Sequence, residues 1–360
     1  MVVSVCGTFV SQKIQKVRWK PDNLCDTVVS GSWDDDDNKL TLWRCYKMEN
    51  EEGFVKLKAQ SCAQHYGDIM EIKFIDDRTV AVSSSVGSIS LFKLCEKNGD
   101  PSLDELKVWK NVHCYSNGEV ASGTDMACFE DTITSVGEDG RIVLISVKEK
   151  MPYRTIENAD SCTIRCVSVH QFSQVLTGNS RGQMKVWDLR NNSNVPQTSF
   201  TLSGGGQVGF TRVISHPTQT HIKLAGGEDG TITVWDLRNN KFAVNSLNAH
   251  SQSVNELVFH PDRPEHLYSC SSNGQLWHWD SSKLNHSYIP QFGVNESKNI
   301  SDNGEETGCP WMSKNLKNRI TVYSVIQNLH LPVNSLDVSG NFIVCGCDNE
   351  AVYLINESHV

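Results

Sequence analysis

Residues 226–240 read GGEDGTITVWDLRNN, and residues 178–192 read GNSRGQMKVWDLRNN. Both have glycine at the first and fifth positions and close on VWDLRNN, 48 residues apart. An interval close to the length of a four-stranded propeller blade points to a repeating architecture rather than a doubled active site. Working outward, the same step of five from a turn residue to the tip of a β run recurs. It joins Gly230 to Trp235, Gly182 to Trp187 and Gly274 to Trp279, then Gly87 to Phe92 and Gly140 to Ile145. With the glycine replaced, Asn38 to Trp43 and Asn349 to Leu354 fit the frame. The seven anchors lie 49, 53, 42, 48, 44 and 75 residues apart.

Each unit has one grammar. An alternating strand ends in a turn (VRWKP at 17–21, IKFID at 72–76, VISHP at 213–217, LVFHP at 257–261), and a strand of small and β-branched residues follows. A tight turn such as Asp229-Gly230 or Asn273-Gly274 then opens the aromatic-tipped strand, and a more polar fourth strand completes the unit. These dipeptides suit two-residue hairpins in which both central positions take positive φ. No stretch sustains a 3.6-residue apolar period, so helices should be scarce. The seventh unit has three strands before residue 360, whereas VVSVCGTF at 2–9 is a spare strand ahead of the first. Pairing the two removes an open sheet edge. The sequence therefore predicts an all-β, seven-bladed β-propeller over residues 1–360, closed by its N-terminal strand on the last blade. Its blades should span about 13–60, 65–111, 120–157, 163–203, 208–248, 253–323 and 333–356, with residues 281–318 inserted in blade six as a flexible loop.

Composition narrows the function classes. With 33 Lys and Arg against 42 Asp and Glu, the net charge is −9, which disfavours direct binding to nucleic acid or an anionic membrane. No apolar run approaches the length of a membrane span, and MVVSVCGTFVSQK does not read as a signal peptide. The 13 cysteines are scattered, with no C-x-x-C pair, and read as buried thiols in a reducing compartment, cytosol or nucleus. The N-x-S sequons should then stay unmodified.

Motifs with chemical potential resolve into blade parts. GNSRG at 178–182 has the spacing of a nucleophile elbow, but QMKVWDLR after it alternates as a strand, where an elbow opens a helix. His216-Pro217 and His260-Pro261 lack a nearby second metal ligand. GGG at 204–206 leads into a strand rather than a phosphate-cradling helix. No catalytic, cofactor or metal site is expected, and no small-molecule substrate. The run Asp34–Asp37 reads as a solvated hairpin tip, and with Glu138, Asp139, Glu228, Asp229, Asp348 and Glu350 it falls in the turns between second and third strands. An acidic rim on one face would suit a basic partner, with Asp35, Asp36 and Glu228 as candidate contacts. Trp311, in the insertion, is a further candidate contact.

The units resemble the WD-repeat family. Asp229 followed by Trp235-Asp236 matches its signature fully, and Trp187-Asp188 and Trp279-Asp280 match the dipeptide. The family's buried tetrad is most nearly present in unit six as His250, Ser271, Asn273 and Trp279, and units two, three and seven lack the tryptophan. Longer stretches (FVSQKI at 9–14, GSWD at 31–34, VGEDGRI at 136–142, HPDRPEHLYSC at 260–270, GQLWHWD at 274–280, CGCDNEAVYLI at 345–355) resemble WD-repeat nucleoporins of the nuclear pore's outer-ring, Y-shaped complex. That resemblance implies a non-enzymatic scaffold in the short arm of the Y. Its partners would be an α-helical solenoid nucleoporin and a second small propeller nucleoporin. It also implies residence at the nuclear envelope, support of mRNA and protein transport, and a kinetochore role in mitosis. A substrate- or peptide-recognition propeller, such as a ubiquitin-ligase receptor or histone reader, is the alternative; it would work through the central opening.

Overall fold

The computed structural model describes residues 2–22, 24–47, 55–97, 100–171, 173–202, 207–238, 242–282, 309–313, 316 and 320–358. Among them, 28 strands form seven four-stranded antiparallel sheets. Six sheets take their strands in simple chain order. The seventh is closed in cis: Val2–Phe9 pairs with Ala351–Ser358, from Val2 opposite Ser358 to Phe9 opposite Ala351. The spare strand and the incomplete last unit thus complete each other, as the sequence predicts.

The opening duplicate is the hairpin between second and third strands of blades four and five (Gln174–Asn179 with Gln183–Asp188, Ile222–Gly227 with Thr231–Asp236). Gly182 and Gly230 sit at φ 72° and 84°. A Cβ on Gly230 would lie 2.2 Å from the His250 carbonyl oxygen, so both sterics and backbone require glycine. The turn type differs from expectation. The Gly230 amide donates to Gly227 O at 3.1 Å, and Asp229 is not among the residues with positive φ. A four-residue turn ending in a left-handed glycine replaces the two-residue hairpin. In blade seven the left-handed residue is Glu350 (φ 59°), and Ile355 lies opposite Ile343 where Trp235 lies opposite Lys223. The frame there runs from Glu350 to Ile355, one residue later than Asn349 to Leu354.

Apolar side chains fill the seams between neighbouring sheets. Val28, Trp43 and Val344 share one cluster of blades one and seven, and Leu224, Leu257 and Trp279 share another of blades five and six. This nearest-neighbour packing is what makes the ring rigid once it is closed. Most of the 281–318 insertion lies outside the described residues. Its end does not: Pro310–Met312 forms a 3₁₀ turn, and Trp311 is wholly buried against Phe259, their rings 5.7 Å apart. Asn245 Nδ2 donates to Trp311 O at 3.0 Å, fastening the turn to blade five. Trp311 is therefore a core residue and not a free partner contact, a correction that burial of a large aromatic makes plain.

Candidate functional site

The residues of the WD signature are structural, and their wiring differs from the spacing-based assignment. In blade six, His250 Nε2 meets Ser269 Oγ at 2.8 Å, and Trp279 Nε1 donates to the same oxygen at 2.9 Å. Ser269, not Ser271, is the shared partner, accepting from Trp279 Nε1 and donating to His250 Nε2, because His250 Nδ1 faces the acceptor Gln275 Oε1; Ser271 Oγ donates to Gln252 O. Asn273 reaches the histidine only through Gln275, whose Oε1 accepts from Asn273 Nδ2 at 2.8 Å. Ser271 lies two positions along the same strand, so a register slip of one pleat repeat separates the readings. Replacing Ser269 with alanine should cost about 1–3 kcal/mol, since it takes the acceptor from buried Trp279 Nε1 and the donor from His250 Nε2, and Ser271→Ala about 0.5–1.5 kcal/mol. Urea unfolding of both variants distinguishes the assignments.

Asp229, the full match to the signature, is exposed and accepts from Thr231 N and Oγ1, with no histidine attached among the described residues. Trp235 Nε1 donates to Thr233 Oγ1, because Ala225 stands where blades one, three, four and six carry a hydroxyl. Trp187 Nε1 donates to Thr177 Oγ1 at 3.0 Å. Asp188 and Asp236 each accept from the backbone and guanidinium of the arginine two residues on, Arg190 and Arg238, which explains the repeated WDLR. Asp280 accepts from Ser282 N in the same way. Blade three holds a relay the sequence reading missed. His113 bridges Asp139 Oδ1 at 3.0 Å and Ser135 Oγ at 2.8 Å, with Ile145 in place of tryptophan. Burial opposes ionisation of Asp139, but its His113 hydrogen bond and the other donors outweigh burial and lower its pKa. The signal was a histidine ahead of the first strand, as with His250.

The acidic turns lie between second and third strands as expected, but much of their charge is already engaged. Lys13 Nζ is 2.5 Å from Asp34, Gln12 donates to Asp35, and Arg165 Nη2 is 3.0 Å from Glu228. Asp348 accepts from Trp33 Nε1 and Asn334 Nδ2. Asp36 is exposed.

The centre of the ring carries a feature that no motif announced. All seven innermost strands have a register shift at the same place, and the residue just past it is Lys16, Glu71, Asp125, Cys166, Arg212, Glu256 or Ser335. A bulge re-aims the side chain that follows it, and here it turns seven side chains onto one level. Ion pairs then join neighbouring and non-adjacent blades alike. Arg212 lies 3.0 Å from Glu71, 2.9 Å from Asp125 and 2.6 Å from Glu256. Arg18 lies 2.5 Å from Glu71 and 3.0 Å from Glu256, and Lys16 3.2 Å from Glu256. Two residues further on, Lys73 and Asp337 balance the count at four cations and four acids. Burial alone would raise the pKa of Glu256, but Arg18, Arg212 and Lys16 outweigh it and hold it at about 2. The channel is crossed by the protein's own paired charges at this level.

Buried histidines set the acid response. Burial lowers His250 and His216 to about 4 from the usual 6.5. Between those values the unfolded chain takes up protons that the folded state refuses, so their contribution to stability falls as pH drops through that window. Urea midpoints measured at about pH 7 and about pH 4.5 should show the lower midpoint in acid; a higher one there contradicts this assignment.

Comparison with known proteins agrees with the architecture. The family described as WD domain, G-beta repeat matches residues 196–236 and 242–280. Human nucleoporin Nup43 is 35% identical over 97% of this chain and 98% of its own length. The chain belongs to the Nup43 family of WD-repeat nucleoporins. Mouse nucleoporin Nup43 is likewise 35% identical, over 98% of both chains. A Dictyostelium discoideum nuclear pore complex protein, nup43, is 26% identical over 67% of this chain and 54% of its own.

Proposed function

We propose that the chain is a non-enzymatic scaffold subunit of the nuclear pore complex, resident at the nuclear envelope. The observation that carries this reading is the end-to-end match to Nup43 proteins of human and mouse. The physical character of the ring supports it: a rigid body closed in cis offers surfaces, and its channel is occupied by its own ion pairs. The same ion pairs count against a reader that threads a peptide through the centre. Within the pore, the position is the short arm of the outer-ring Y-shaped complex, beside an α-helical solenoid nucleoporin and a second small propeller. Transport of mRNA and protein, and a mitotic place at kinetochores, belong to that assembly. Affinity purification of the endogenously tagged chain, with protein stoichiometry measured by mass spectrometry, tests the reading. Outer-ring scaffold proteins should appear in near-equal amounts, interphase rim fluorescence should accompany them, and mitotic cells should show kinetochore foci. Recovery with ubiquitin-ligase subunits or histone peptides instead would overturn it.

A further inference from the structure

Blades one and two differ from the rest in their outer hairpins. Lys39–Lys47 pairs with Val55–Gln64, and Ile89–Lys97 with Asp100–Trp109, strands of 9 and 10 residues in both cases. The outermost strands of blades three, four and five have three or four. Both long hairpins carry a bulge at the same place, at Leu42/Trp43 and Leu91/Phe92. Between them lies a cleft of about 540 Å³ with Leu42, Trp43, Leu94 and Pro101 among its apolar lining. Leu24, also lining it, is 71% exposed.

The blade-one wall of this cleft is charged opposite to the molecule, whereas the blade-two strands ISLFKLCEK and DPSLDELKVW carry three lysines against four acids. The blade-one strands read KLTLWRCYK and VKLKAQSCAQ, five Lys or Arg and no acid, in a chain of net charge −9. The connecting segment 48–54, with three glutamates, lies outside the described residues. Arg44 lines the cleft, and Lys58 is its cross-strand neighbour, so both stand on one face of the sheet. Tyr46 lies two residues from Arg44 on that face, with Lys58 Nζ 6.0 Å from its ring centre. Lys20, Arg78 and Lys93 add cations to the lining, against Asp26, Asp77 and Glu96. The Arg44–Asp26 and Arg78–Asp77 pairs are 3.5 and 3.7 Å long and open to solvent, and such pairs exchange readily for a better-placed acid.

We propose that the cleft between the outer hairpins of blades one and two docks an acidic amphipathic helix of the scaffold partner. Its apolar side chains lie against Leu24, Leu94 and Pro101, and its carboxylates meet Arg44, Lys58 and Lys93. This rests on the scaffold reading above and adds the contact surface to it.

The test compares wild type, an Arg44→Glu/Lys58→Glu/Lys93→Glu variant and an Asp36→Lys/Glu228→Lys control, all checked for unchanged melting. Each is titrated against the reconstituted outer-ring assembly. Each is also titrated against a synthetic glutamate-rich helical peptide with leucines at i, i+3, i+4 and i+7. Wild type and control should bind both, with affinity falling as salt rises, and the triple variant should lose at least about tenfold. A triple variant that binds both like wild type overturns the cleft. Should wild type ignore the assembly, the scaffold reading falls. The peptide then decides the cleft by itself: binding lost in the triple variant upholds it, and absence of binding overturns it.

Discussion

Replacing Arg212 with methionine should cost about 3–5 kcal/mol of folding stability, a loss large enough to lower a urea midpoint severely. Arg212 touches three acids from three other blades, Glu71, Asp125 and Glu256, and all are buried. Removing it leaves those carboxylates facing one another with only Arg18, Lys16 and Lys73 to offset them. The expense lies in the uncompensated charge, so a variant that also replaces Glu71 with glutamine should recover part of the loss. Arg165 is the control. Its pair with Glu228 is solvent-exposed on both sides, and Arg165→Met should move stability by no more than about 1 kcal/mol. Equal effects at the two arginines would mean that the central network contributes nothing special.

Deleting residues 1–9 should have an effect of similar size, together with a change in association state. Eight residue pairs join Val2–Phe9 to Ala351–Ser358. At roughly 0.5–1.5 kcal/mol for each ladder hydrogen bond lost, several kcal/mol go with the strand. What remains is a blade of three strands with an unpaired edge, which invites pairing with another copy. Melting should therefore drop sharply and light scattering should rise, and a synthetic VVSVCGTF peptide should partly restore both. An unchanged melting temperature would show that blade seven is stable without its seam.

Most of the blade pattern could be read from the chain because each unit announces itself locally. Gly182 and Gly230 mark turns that only glycine can fill, and Trp187, Trp235 and Trp279 end the strands that follow. The seam was legible because blade seven lacks a strand that residues 2–9 can supply. What escaped the sequence depends on closure. Glu71, Asp125, Arg212 and Glu256 each sit in a strand whose alternation reads as one wet face, such as FTRVIS; only the ring brings those faces together. The acidic turns looked free because their partners come from elsewhere, Lys13 on Asp34 and Arg165 on Glu228. Ser269 and Ser271 face the same side of one strand, and spacing alone cannot choose between them. Trp311 looked available in a polar insertion, yet its indole fills a gap beside Phe259.

Hydrogen exchange of the chain, alone and within the purified nuclear-pore outer-ring assembly, measures the central claim most directly. A closed ring that works through its surface should keep its innermost strands and Val2–Phe9 equally protected in both states. New protection should appear on surface segments, foremost the hairpins of blades one and two. Protection gained only around the channel, or protection lost from Val2–Phe9 as a partner strand replaces it, would contradict the account.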